Sequence, residues 1–189
     1  MIEQLIKENR SCRRFYEEEL ISEDNLRWFI DLARNSASAA NLQPIKYMYS
    51  FDPKKNEAIF STLAWAGYLK EWPGPQKGER PSAYIIMLGD TEISKNFAID
   101  QGIYSQSIML GVREKGYGGC IIASVMRDQL RKNLSIPERY DILLVLALGK
   151  PKEKVVITEI PPSGDIKYWR DEDGVHYVPK RRLEDIIIK

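Results

Sequence analysis

One histidine, His176, and two cysteines, Cys12 and Cys120, are all the imidazole and thiol this 189-residue chain contains. That scarcity excludes a closed structural zinc site of soft ligands and a disulfide framework. It also leaves no room for a Ser-His-Asp centre with a separate histidine acid, and no G-x-S-x-G elbow occurs. Long apolar runs are missing as well. The longest, Ile142 to Leu148, is far too short to span a bilayer, and the opening MIEQLIKENR has acids where a signal peptide would be uninterrupted and apolar. A reducing cytoplasmic location is therefore expected. A charge excess is absent too: 28 basic against 27 acidic residues give a formal +1, without the surplus that nucleic-acid or anionic-membrane binding usually shows. Neither kind of partner is expected, and any anion site must be local. These shortages fit chemistry carried by something other than side chains.

What remains is ordinary for a globular protein, with 43% hydrophobic and 29% charged residues. At this length folding buries roughly 70% of the surface an unfolded chain exposes, so a single domain over 1–189 supports its own core. Ile2, Leu5 and Ile6 fall at helical spacing, and Ser22 is placed to cap a helix running to Arg34 with Leu26, Phe29, Ile30 and Ala33 on one face. Strands are predicted at Ile45–Phe51, Ala83–Leu88 and Asp141–Leu148, with a helix over Lys54–Ala66 and a loop over Glu71–Pro81. The longest helix is predicted over Ser94–Lys115, closed by Gly116, with Ala98, Gly102, Ser105 and Ser107 as a small-residue side. Arg127–Leu134 reads as a short helix. Ile166–Arg170 and Val175–Val178 flank a hairpin-like turn, Asp171-Glu172-Asp173-Gly174. Helices and strands alternate without a regular βαβ period, which predicts a layered α/β domain with a mixed sheet rather than a doubly wound one.

Four segments carry chemically suggestive residues. Arg10-Ser11-Cys12-Arg13-Arg14 puts three guanidiniums and a hydroxyl within five positions, and guanidinium forks match phosphate oxygens; a solvated basic turn is the plain alternative. Lys180-Arg181-Arg182 is a second cationic cluster, and the ends of a compact fold often lie close enough for two such clusters to meet on one anion. Ser36 to Pro44 combines small residues with Asn41 and Gln43, suited to a heterocycle lying against the backbone or, equally, to a helix end and turn. Gly116-Tyr117-Gly118-Gly119-Cys120 follows a helix and fails the G-x-G-x-x-G fingerprint at Ile121, yet its glycines could present free N–H groups to a bound ring. Cys12 and Cys120 read as small buried hydrophobes, and His176 as a packed or surface strand residue.

The order of these pieces resembles the nitroreductase family of FMN-dependent oxidoreductases. The likeness rests on R-S-x-R-x-F (Arg10, Ser11, Arg13, Phe15) and S-A-x-N-x-Q-P (Ser38, Ala39, Asn41, Gln43, Pro44). The small-residue helix, the glycine turn into Cys120-Ile121-Ile122 and P-K-x-R (Pro179, Lys180, Arg182) complete it. It implies an α+β fold, a three-layer α/β/α sandwich around a central mixed, largely antiparallel sheet, in an intertwined homodimer. It further implies an FMN phosphate and ribityl clamp of Arg10, Ser11, Arg13, Lys180 and Arg182, with Ser38, Ala39 and Asn41 coming from the partner subunit. Gly118 and Gly119 would then face the reactive N5 side. No side chain is expected to be catalytic in such a site; the flavin carries hydride from NADH or NADPH to a nitroaromatic, quinone or enone by a ping-pong cycle. Asn9 stands where many members have a second arginine, and Ala37 where a proline is common. The loop at Trp72-Pro73-Gly74-Pro75-Gln76 lies outside the shared motifs. It suggests a substrate-selecting wall with Trp65, Tyr68 and Trp72 near the flavin, unless these are ordinary packing aromatics. An FMN carrier or regulatory protein without NAD(P)H turnover stays open as the alternative. A phosphoryl-handling enzyme lacks the P-loop and carboxylate–metal cluster it would need.

Overall fold

A computed structural model describes residues 1–188 of the chain. Its centre is β3 (Ala83–Asp90), in which every residue is buried, and the reason is that both of its faces are covered. Ala83, Ile85 and Met87 face a core completed by Leu26, Phe29 and Ala33 of α2 (Glu23–Arg34) and by Tyr104, Ile108 and Val112 of α4 (Ala98–Glu114). Tyr84, Ile86 and Leu88 face a second core with Ile59 of α3 (Pro53–Phe60) and Leu130 of α5 (Arg127–Leu134). Helices thus cover both faces of one sheet, as the family resemblance implies.

The sheet runs β1 (Phe15–Tyr16), β5 (Tyr140–Pro151), β3, β2 (Ile45–Ser50), with β4 (Gly118–Ile122) also paired to β5. Every one of these pairings is antiparallel. The parallel component lies outside this sheet, between β6 (Val155–Glu159) and β8 (His176–Lys180), where β7 (Trp169–Arg170) completes a small three-stranded sheet. The hairpin-like turn is present: Trp169 pairs with Tyr177 and Arg170 with His176. Neither β1 nor β6 belongs to the expected elements, although the β-branched run Val155-Val156-Ile157-Thr158 is a strand signal in its own right.

Local chemistry explains the helix boundaries. Ser22 caps α2 by accepting from the Asn25 N–H at 3.3 Å, and Asp52 caps α3 by accepting from Lys55 at 2.8 Å. The third helix stops at Phe60 instead of reaching Ala66. Thr62 Oγ1 takes the Ile59 carbonyl at 2.7 Å, and the chain is then drawn into extended contact, Ala64 donating to Ser124 and Met126 to Thr62. The long helix begins at Ala98 rather than Ser94 because the Ser94 and Asn96 side chains accept from nearby backbone N–H groups, which competes with helix formation. It ends as expected before Gly116, at φ 76°. None of the helices described is long and apolar enough to cross a membrane.

Gly118 and Gly119 lie in a strand instead of the expected turn. Both are in β4, opposite Gly149 and Leu148, and both are glycine for lack of space. A Cβ on Gly119 would lie 2.6 Å from the Ala147 carbonyl oxygen, and one on Gly118 would lie 2.8 Å from Pro151 Cγ. Because the first obstacle is backbone of a central strand, Gly119→Ala should cost about 1–3 kcal/mol, as overpacked cores do, read as a lowered midpoint in thermal or urea unfolding.

Candidate functional site

After α1 (Ile2–Glu8) the chain crosses the end of β4. Ser11 bridges to Gly119, and the Cys12 N–H donates to the Gly119 carbonyl at 2.9 Å. Side chains of this crossing open into a cleft of about 250 Å³, where Arg10, Ser11, Arg13 and Gly119 meet Lys180 from β8. Gln106 and Met109 of α4 and Tyr168 and His176 of the C-terminal arm complete its wall. The two cationic clusters of the sequence therefore do converge, though not in full. Arg14 points elsewhere, making two 2.7 Å bonds to Glu79, and Arg182 is largely exposed with Glu159 at 3.3 Å.

The cations at the cleft differ in how free they are. Arg10 donates through Nη2 to the Ile6 carbonyl at 2.8 Å, while its buried Nε has no partner among the described residues. Arg13 is only 8% exposed and is already engaged. Its guanidinium stacks on Tyr168 at 4.8 Å from the ring centroid, and Nη1 lies 3.3 Å from His176 Nε2. An arginine cannot accept, so this contact requires His176 Nε2 to be the acceptor and Nδ1 to carry the proton. Burial pushes the His176 pKa down to about 4, and the charges of Arg13 and Arg170 act in the same direction against Glu153. Glu153 binds the arm to this point, accepting from the Arg13 backbone N–H and, at 2.7 Å, from Arg170 Nη2.

A second cavity, about 190 Å³, lies on the other side of Arg13 and is bounded by Cys120–Ser124 and by Trp65, whose buried Nε1 is unpartnered among the described residues. Tyr68 and Trp72, the other two aromatics of the expected wall, face the C-terminal arm. The Tyr68 ring lies 5.0 Å from that of Tyr168, and Trp72 lies beneath the Arg170 guanidinium at 4.3 Å. Both thiols are buried, as expected. Burial pushes Cys12 up to about 12 and Cys120 in the same direction, so neither is a nucleophile at neutral pH.

Ser38, Ala39 and Asn41 do not line either cavity. Their loop has Ala40, Asn41 and Gln43 at positive φ and is held by a buried carboxylate, Asp100, which accepts from Ser38 Oγ at 2.5 Å and Ala39 N–H at 2.8 Å. Sequence reading did not find Asp100, Glu79, Glu153 or Tyr168 in these roles. Each makes its contact across 17 to 155 positions, Asp100 included at 61 and 62, although the place of Asp100 in the first turn of a mostly apolar helix was a usable signal.

The nitroreductase family model matches residues 6–150. Bacillus subtilis YodC, which carries an NAD(P)H nitroreductase name, is 24% identical over 87% of this chain and 96% of its own length. Among solved structures, a nitroreductase family protein from Streptococcus pneumoniae aligns with a TM-score of 0.69 at 19% identity, covering 90% of this chain and all of that one. An NADPH:FMN oxidoreductase from Vibrio harveyi complexed with NAD+ aligns at 0.65 and 21% identity, covering 85% and 73%.

The buried imidazole makes stability depend on pH. Its pKa is near 6.5 when unfolded and about 4 when folded, so between these values the unfolded chain binds the extra proton and stability falls as pH is lowered. Urea unfolding at pH 6.5 and 5 should show this loss, and His176→Gln should show a smaller one.

Proposed function

Because the chain belongs to the nitroreductase family, we propose that it is an FMN-dependent NAD(P)H oxidoreductase, acting on a small oxidised acceptor such as a nitroaromatic, quinone or enone. The observation that supports this most is the meeting of Arg10 and Ser11 with Lys180 at one cleft beside β4. The donor set fits a phosphate: an arginine with an uncommitted buried Nε–H, a hydroxyl and an ammonium, in a protein of almost no net charge. Asn9 also lines this cleft, in the place where a second arginine would add charge.

Arg10, Ser11 and Lys180 would hold the phosphate end, with Arg182 joining once released from Glu159. Arg13 stands between the two cavities, fixed by Tyr168 and His176, and so offers its positive charge to a ring lying along β4. Bound FMN would supply the two-electron chemistry, taking hydride from NAD(P)H and passing it to the acceptor in alternate turns at one face. Trp65 and the backbone of Cys120–Ser124 would shape the space beside that face and limit the size of what enters.

Ser38, Ala39 and Asn41 would join the site from a second copy of the chain. Exposed apolar side chains flank their loop and its anchor: Leu42 at 49%, Ile99 at 62% and Ile103 at 36%. A Cβ on Gly102, in the same stretch of α4, meets nothing within 4 Å, so a partner helix has room to approach.

Purified protein given FMN should retain a yellow colour that NADH or NADPH bleaches anaerobically. Retained colour without bleaching would favour the carrier reading instead. Loss of one charge-assisted contact is worth about 1.5–3 kcal/mol, so Arg10→Ala and Lys180→Ala should each weaken FMN binding by about 10- to 100-fold in a fluorescence titration. Unchanged binding would remove the phosphate assignment.

A further inference from the structure

Asp100 is 3% exposed in the first turn of α4, and no ion pair among the described residues includes it. A buried carboxylate without a counter-ion is costly unless it is hydrogen-bonded. Both of its donors lie in one loop, Ser38 Oγ at 2.5 Å on one oxygen and the Ala39 N–H at 2.8 Å on the other, and the positive end of the α4 dipole adds to them. The loop in turn needs holding. Ala40, Asn41 and Gln43 have φ of 49°, 55° and 51°, a left-handed backbone that residues with a side chain adopt only at a cost. Ser38 Oγ, held by Asp100, also accepts from the Gln43 N–H at 2.9 Å, so one hydroxyl carries the grip of the carboxylate across all three. Gln43 Nε2 donates to the Asn41 carbonyl at 3.2 Å and to Asn41 Oδ1 at 3.1 Å, which leaves Nδ2 as the end of that amide turned to donate elsewhere.

Residues 39–43 are all exposed, so a buried charge here shapes a surface and not a core. Within its own chain that surface has no cavity to serve: Ser38, Ala39, Asn41 and Asp100 line neither the cationic cleft nor the cavity beside Trp65. The segment is fixed to α4 a second time, where Ser36 Oγ and Ser107 Oγ lie 2.7 Å apart. The same helix gives Gln106 and Met109 to the cleft of its own chain. One helix therefore walls a cleft and also anchors a loop which that cleft does not use. Leu42, Ile99 and Ile103 surround the anchor as exposed apolar side chains, the setting in which a rigid loop enters a second copy.

We propose that Asp100 is a positioning residue acting across the dimer: through Ser38 and Ala39 it holds the loop in the shape that completes the flavin site of the partner subunit. This role rests on the dimeric flavin site proposed above. Two differently tagged full-length chains, one carrying Asp100→Ala and the other Arg10→Ala with Lys180→Ala, are co-expressed, and the mixed dimer is isolated through both tags and titrated with FMN by fluorescence. Each variant homodimer should bind FMN at least tenfold more weakly than the parent. The mixed dimer should regain one site of parent affinity per two chains, because one of its clefts joins an intact phosphate clamp to an intact loop. A loss of stability confined to the Asp100→Ala chain gives no such recovery, so a mixed dimer without a parent-affinity site overturns the proposal. So does an Asp100→Ala homodimer that binds FMN as the parent does, and so does a parent chain that binds FMN as a monomer. A parent that retains no FMN overturns the flavin reading and this role together, whereas the three preceding outcomes remove the role and leave FMN binding standing. If Asp100→Ala does not fold, Asp100→Asn, which keeps the shape and removes the charge, takes its place in the same mixed dimer with an expected loss of at least threefold in its homodimer.

Discussion

The cleft depends on one steric constraint, the direct contact between the N-terminal crossing and β4. Cys12 reaches the Gly119 carbonyl at 2.9 Å alongside Gly118, where an added Cβ would already lie 3.4 Å from Cys12 Cβ and 2.8 Å from Pro151 Cγ. Arg10, Ser11 and Arg13 are delivered to the end of β4 by that approach, and Glu153 then fixes Arg13 by its own backbone N–H. Gly118 leaves room for that crossing and for Pro151, while Gly119 leaves room for the Ala147 carbonyl of β5 beneath it.

A second layer of interactions turns the C-terminal arm into a wall of the same site. Tyr168 and His176 press on Arg13, Arg170 pairs with buried Glu153 and covers Trp72, and Tyr68 meets Tyr168. Buried ion pairs of this kind add little net stability but are costly to break singly, so they specify an arrangement more than they strengthen it. The same holds at Glu79, whose carboxyl is held near pKa 2, chiefly by Arg14, with Lys152 adding to the effect. It ties the far end of the arginine cluster to the loop before β3.

How much of this was legible in the sequence depended on the range of the interaction. Ser22, Asp52 and Gly116 announce helix ends because caps act within a few residues, and β3 reads as a strand because burial on both faces removes polar alternation. The helix after Asp52 was overextended because what ends it is Ser124 and Met126, about sixty residues away. At the site, the meeting of Arg10 with Lys180 was readable from charge and from the family pattern. The diversion of Arg14 to Glu79 and the capture of Arg13 by Tyr168 and His176 were not, since each partner is an ordinary residue until the fold brings it near.

The meeting of residues 10–13 with residues 168–180 has a consequence for biosynthesis. The strands and helices of both cores are complete by residue 151, whereas the cleft gains Tyr168, His176 and Lys180 only from chain that emerges later. A domain that folds as it emerges would therefore assemble its sandwich first and its cleft last. Any ligand that needs both walls is acquired by a scaffold whose two cores are already formed.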